Sequence, residues 1–261
     1  MKLKAHKLLP VAVIMLATSS GAMAHTVIAE QATEGMALLN GSRITHGCNT
    51  PGLDDRLGIM AQGIVFPNGF SSQAFKLVDG GEEPVTLGDE LADTLGNNVG
   101  VTPTLIQDRD VFLNAHILKD ETGARRAFHY TAGKMPGSDV EGLIPFRHTT
   151  PRFLPESCAK RLLVRIAIAN WCSKSSSTAD GNRVDVWMGH TTPKFNDPIV
   201  MPFGDDGGAG VFWPTLTINR DLAANPLPDS CGEGYDIAVQ PSDADIDQFL
   251  PIPGLWPANA N

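Results

Sequence analysis

Helical periodicity is almost missing from this 261-residue chain. Apolar residues do not recur at i, i+3, i+4 and i+7 over any long window, which excludes a helical bundle. Past the amino terminus no apolar run approaches the ~18 residues of a membrane-spanning helix. No C-x-x-C pair occurs, so zinc-ribbon and thioredoxin-like chemistry has no foothold. G-x-S-x-G, H-E-x-x-H, P-loop and Rossmann fingerprints are all lacking, which removes the familiar hydrolase, zinc-protease and nucleotide-binding signatures. Basic charge is scarce too: 20 Lys+Arg stand against 29 Asp+Glu, a formal charge of −9. Such an acidic surface argues against nucleic acid and anionic lipid as partners.

What is present begins with a secretory pattern. Lys2, Lys4 and Lys7 precede an apolar core from Leu8 to Ala17, and Ala22-Met23-Ala24 is a small-x-small cleavage site. Residues 1–24 therefore read as a signal peptide. Its removal takes three lysines and no acid, so the exported chain is more acidic still. The expected location is the periplasm, the cell surface or the medium. Cleavage after Ala24 makes His25 the first residue. A free terminal amine beside an imidazole can chelate one metal ion, and copper suits nitrogen ligands.

Short β-branched runs alternate with Gly, Pro, Asn and Asp clusters. The expected strands are Met36–Ile44, Leu57–Phe66, Gln73–Val78, Val111–Leu118, Ala124–Thr131, Arg161–Trp171, Arg183–Met188, Gly210–Asn219 and Tyr235–Gln240. Runs this short, bounded by turn residues, predict an all-β fold, an antiparallel β-sandwich with long loops. Two short helices are expected, Asp89–Leu95 and Ser242–Leu250, the second capped by Ser242 with Asp243 and Asp245 in its first turn. Residues 25–261 read as one β-sandwich domain ending in an extended tail, Pro251 to Asn261. In Arg161–Cys172, Leu162, Val164, Ile166 and Ile168 share the core-facing parity with Asn170 and Cys172. Trp171 lies on the other face, where burial would require a partner for its N–H.

Cys48, Cys158, Cys172 and Cys231 all lie in the exported part, where disulfides form. Two structural bridges are expected, and the sequence leaves all three pairings open. His46 and Cys48 fall in Arg43-Ile-Thr-His-Gly-Cys-Asn-Thr-Pro-Gly52, at the end of a strand and the start of a chain reversal. A bridge at Cys48 would stiffen the loop that aims His46. His116 shares a strand face with Phe112 and Asn114 and can face His46 from a neighbouring strand. Two imidazoles in an apolar setting suit Cu(I) or Cu(II) better than Ca or Mg, and each ring needs its other nitrogen satisfied. His129, between Phe128 and Tyr130, reads as a cross-strand packing position. His148 reads as part of a Pro-bounded loop. Trp187-Met-Gly-His190 reads either as a soft-metal group or as a strand end.

Ile-Thr-His46-Gly-Cys48 early in an exported β protein, followed by a second histidine, resembles the surface-associated copper-binding proteins of methane-oxidising bacteria, the MopE/CorA type. That resemblance implies one copper ion held by two histidines and a tryptophan oxidised to kynurenine, in a protein made when copper is scarce. His46 and His116 are the positions that carry over. The tryptophan of that family lies two residues before the first histidine, where this chain has Ile44. Ala24-His25-Thr followed by His46-Gly-Cys48 is also similar to the YcnI-like periplasmic copper proteins, which implies a role for the terminal histidine. Together these readings predict a binder of one copper per chain for acquisition, carriage or storage. His46, His116 and His25 are the candidate ligands, and a surface or outer-membrane component is a candidate partner. The alternatives are a copper oxidoreductase using His25 and a metal-free structural surface protein.

Overall fold

The computed structural model describes residues 26–45, 47, 58–92, 94, 96–99, 101, 103–107, 109–133, 140–172, 184–196 and 213–257. Within them the chain is all-β apart from one short α-helix and two 3-10 turns, Leu87–Asp89 and Asp229–Cys231. The strands run β1 Thr26–Ile28, β2 Ala32–Thr33, β3 Ala37–Ile44, β4 Ala61–Val65, β5 Gln73–Val78 and β6 Gly81–Pro84. They continue with β7 Leu91–Ala92, β8 Thr104–Leu105, β9 Phe112–Lys119, β10 Arg125–Gly133, β11 Gly142–Thr149 and β12 Arg152–Phe153. The last are β13 Ala159–Arg165, β14 Ala167–Trp171, β15 Val184–Trp187, β16 Thr215–Asn219 and β17 Tyr235–Gln240, before helix α1, Asp243–Phe249.

Three sheets build the body. One has the order β1-β3-β11-β8, a second β15-β14-β4-β10-β9, and a third β2-β16-β13-β17-β5-β6. Most pairs are antiparallel, and β13–β17 and β2–β16 are parallel. A small ladder joins β7 to β12. The single strand expected over Arg161–Trp171 is two. β13 lies in the six-stranded sheet and β14 in the five-stranded one, with Ile166 as the corner between them. There Ile166 N–H donates to the Pro214 carbonyl, a bond that belongs to neither ladder. A strand that changes sheets at a bend is how β-sandwiches make their corners.

The predicted parity holds through this corner. Leu162, Val164, Ile166 and Ile168 are fully buried in one core, with Ile64, Phe66 and Phe128 of the five-stranded sheet and Ile44 and Phe146 of the four-stranded one. The opposite parity is buried as well, for a reason outside the strand. Ala167, Ala169 and Trp171 belong to a second core closed by Ile246, Phe249, Leu250, Ile252 and Trp256. Helix α1 and the tail after it therefore act as a strap across the outer face of this sheet. The Trp171 indole N–H finds its partner there, donating to the Trp256 carbonyl at 2.7 Å.

Helix α1 starts as expected, with the Ser242 hydroxyl accepting from Asp245 N–H and Asp243 and Asp245 in the first turn. Asp245 also meets Arg126 at 2.6 Å, and Arg126 bonds Asp120 at 3.1 Å. That buried guanidinium ties the helix to β10, and its plane lies over Phe249 at 5.2 Å. The helix expected over Asp89–Leu95 is not formed. Its first residues close a 3-10 turn and Leu91–Ala92 pairs with β12 as a strand, because Leu91 is drawn into the core while Glu90 bonds Ser157 and Tyr235.

Cys158 and Cys231 form one disulfide, and Cys172 is disulfide-bonded too. Cys48 lies outside the described residues.

Candidate metal site

His116 and His129 are brought together by strand register. β9 pairs antiparallel with β10, and His116 stands directly opposite His129 on one face of that ladder. Opposed residues on adjacent strands keep their Cβ atoms about 4.5–5.5 Å apart. Both rings lie on the sheet face that the strap covers, since the neighbouring positions Ala127 and Leu118 pack in the second core. His116, on the edge strand, is exposed, whereas His129 retains 6% of its surface.

The strap fixes the inner ring. His129 Nε2 lies 2.7 Å from the Phe249 carbonyl oxygen. A carbonyl only accepts, so Nε2 carries the proton and Nδ1 holds the lone pair of the neutral ring. Burial pushes the His129 pKa down, opposed by the Phe249 and Leu250 carbonyls, with His116 adding a smaller downward push. A neutral imidazole whose N–H is held by a backbone carbonyl is the arrangement that metal-ligating histidines use. On the sheet's other side of His129 lies Gly63. A Cβ there would come within 2.7 Å of the Leu250 carbonyl oxygen, so the strap sits against bare backbone. Beside His116 runs an open groove of about 240 Å³ bounded by Leu105, Gln107, Arg109 and Asn114.

His25 and His46 lie outside the described residues. Among the described residues, no group of three or more His, Cys, Asp or Glu side chains is placed to hold a metal ion. His116 with His129 is one pair of ligand-type side chains in the described part of the fold, and His190 with Asp243 is another.

The remaining histidines are occupied elsewhere. His148 does not sit in a loop. It lies on β11, fully buried, because Gly142–Thr149 alternates inward Ile144, Phe146 and His148 with outward Leu143, Arg147 and Thr149. Asn40 Oδ1 accepts from Glu30 and Gly41 N–H, which turns its amide nitrogen toward His148 Nε2 at 3.2 Å. Burial lowers the His148 pKa. His190 Nε2 meets Asp243 Oδ1 at 2.7 Å and its ring stands edge-on to Trp213 at 5.6 Å. Two residues on, the Thr192 hydroxyl donates to Asp247, so α1 grips this turn at two points. Trp187 and Met188 do not join His190 in a soft-metal group. They are buried in opposite cores, one on each side of the sheet, as consecutive strand residues must be.

No protein-family model matches the chain, and no curated protein matches it. Among solved structures, an uncharacterised protein from Nocardia farcinica with an immunoglobulin-like fold is similar in outline. It has a TM-score of 0.35 and 15% identity, over 75% of this chain and 98% of that one.

The pairing of His129 with His116 escaped the sequence. Its neighbours Phe128 and Tyr130 announced a packing position, and packed it is. A cross-strand partner 13 positions away follows only from the β9–β10 register. The alternation of β11 was readable, but Pro145 and Pro151 obscured it.

Proposed function

We propose that this is an exported copper-binding protein that carries or stores one copper ion, with His116 as an imidazole ligand and His129 as its cross-strand partner. The observation that supports this reading is the register that sets His116 opposite His129 with Nε2 of His129 held by the Phe249 carbonyl. Two imidazoles at this separation offer nitrogen donors of the kind copper prefers over harder cations. Burial keeps His129 neutral, and a ligand must be unprotonated to bind. His46 and His25 are the candidates for completing the coordination. No substrate or turnover is part of this reading.

The test is elemental analysis of the protein exported with its own leader and exposed to limiting copper and zinc together. About one copper per chain is the expected content, resisting dialysis, in line with tight nitrogen ligation. His116→Ala and His129→Gln should each release most of it, and His46→Ala and His25→Ala then report which of the two completes the site. Unchanged stoichiometry in both His116→Ala and His129→Gln would move the ligands elsewhere.

A second reading, a structural surface protein without metal, is favoured by a specific observation. His129, His148 and His190 each have a hydrogen-bond partner within the fold. Protein that retains neither copper nor zinc would favour it.

A further inference from the structure

Six strands end the three large sheets, and five of them are poor templates for another strand. β1, β2 and β8 have three, two and two residues. β15 has four residues with Asp185 among them, and β6, Gly81–Pro84, carries Glu82, Glu83 and Pro84. Short length, charge and proline are how sheets blunt an exposed edge. β9 lacks these protections. It runs for eight residues, Phe-Leu-Asn-Ala-His-Ile-Leu-Lys119, without proline, glycine or acid, and its one permanent charge is the last residue. β10 covers one flank. The other flank has no strand beside it among the described residues. Leu113, Asn114, His116, Ile117 and Lys119 are all exposed.

The rim along that flank is apolar. Ala115 and Ile117 stand opposite Tyr130 and Phe128, whose rings lie in the first core. Leu113 shares their parity, so Leu113, Ala115 and Ile117 face inward at the margin of the sandwich. Leu113 nevertheless keeps 45% of its surface and Ile117 37%. The four-stranded sheet ends at the same margin with β8. Leu105 of β8 lines the groove of about 240 Å³ together with Leu113 and Ala115. Both layers thus stop at one place, with an apolar slot between them and a row of backbone donors and acceptors along β9.

We propose that β9 is a dimerisation edge, pairing antiparallel with β9 of a second copy about a two-fold axis normal to the sheet through Ala115. A row of alternating N–H and C=O groups is matched along its length only by another extended backbone, so the occupant is a β-strand. The strand's own pattern selects a second copy. An axis normal to the sheet maps the inward face onto itself, so Leu113 meets Ile117 of the second copy twice and Ala115 meets its equivalent on the axis. The bulky residues of that face pair with each other, and the small one sits where the two chains cross. The formal charge of −9 sets most surfaces of two copies against each other, whereas β9 brings no acid to the contact. The same axis carries β8 toward its equivalent, so the second layer approaches as well and the slot over Leu105 closes. His116 projects from the other face, so this inference does not rest on the copper reading.

The test is analytical ultracentrifugation of the exported protein up to about 200 µM, in EDTA so that metal bridging through His116 cannot mimic the contact. A reversible monomer–dimer equilibrium is expected. Leu113→Lys and Ile117→Lys each place two lysines in a symmetric contact and should raise the dimer Kd by at least about tenfold. Both positions are exposed, so circular dichroism and Tm should stay level while the dimer is lost. Ala115→Cys reads the register. It sets two thiols opposite each other on the axis and should give a covalent dimer on air oxidation, whereas Lys119→Cys, at the end of the strand, should not. Protein that stays monomeric at the highest concentration overturns the proposal, even if its edge takes up an unrelated extended peptide. A dimer that both lysine variants leave intact overturns it too, and cross-linking through Lys119→Cys in place of Ala115→Cys refutes the axis.

Discussion

Alanine at Gly63 would test how the strap is held. Its Cβ would lie 2.7 Å from the Leu250 carbonyl oxygen, 3.1 Å from Leu250 Cδ1 and 3.3 Å from Trp171 Cζ3. Ordinary carbon–oxygen contacts are about 3.3–3.6 Å, so the backbone of the strap must withdraw by roughly 0.6–0.9 Å. Leu250 O is a main-chain atom and has no rotamer by which to escape. Overpacking of this kind costs about 1–3 kcal/mol. Replacing a strand glycine returns about 0.5–1 kcal/mol of backbone entropy. The net loss should be about 0–2.5 kcal/mol, or a Tm lower by up to roughly 10 °C for a protein of this size. Urea and thermal unfolding followed by circular dichroism give the stability. Tryptophan emission reports on the strap itself, because Trp171 bonds Trp256 across the contact. Gly81→Ala is the matched control: no heavy atom lies within 4 Å of its Cβ, on the short strand β6. That variant should be neutral or gain about 0.4–1 kcal/mol. Equal stability of Gly63→Ala and Gly81→Ala would refute the idea that the strap is seated on bare backbone.

Trp171→Phe removes an indole N–H and leaves the Trp256 carbonyl without its donor, and should destabilise the fold by about 1–3 kcal/mol in urea titrations. Replacing Cys158 and Cys231 together by alanine opens a loop with a sequence separation of 73 residues, and a loss of about 2–5 kcal/mol in unfolding free energy is expected. His148 has a lowered pKa in the fold because it is buried. The unfolded chain then binds the proton first, so stability held above the ordinary value of 6.5 should decline as the pH falls below it. Unfolding midpoints at pH 7.5 and 5.5 would measure the decline, and His148→Phe should lessen it, the remainder coming from His129, whose pKa burial lowers in the same way. Asp185 works in the opposite direction, since burial pushes its carboxyl up to about 7. Its contribution fades as the pH rises from 3.8 through 7, so Asp185→Asn should raise the midpoint more at pH 8 than at pH 5.

The β-sandwich was legible because its strands are bounded by turn residues and alternate in hydrophobicity. Gln73–Val78 and Tyr235–Gln240 fall exactly where the pattern places them. Helix α1 was legible from Ser242 and the acids after it, since capping is a local interaction. The break at Ile166 was not, because both halves of that strand keep the same parity through the corner. Leu91 could not be assigned to a strand from its neighbours, since its partner Phe153 lies far along the chain. The histidines divide the same way: residue type nominates them, and register sorts them.

Local chemistry by itself determined the all-β class, the inward faces of the strongest strands, the cap of α1 and the acidic balance of the chain. These depend on alternation, side-chain shape and charge, which are written residue by residue. Tertiary structure alone decided that helix α1 and the Pro-rich tail after it cover a second face of the sheet at Ala167, Ala169 and Trp171. It also decided that His129 stands opposite His116. Each of those facts depends on a pairing between distant segments, set by which surfaces exclude water together, and no single stretch of sequence contains it.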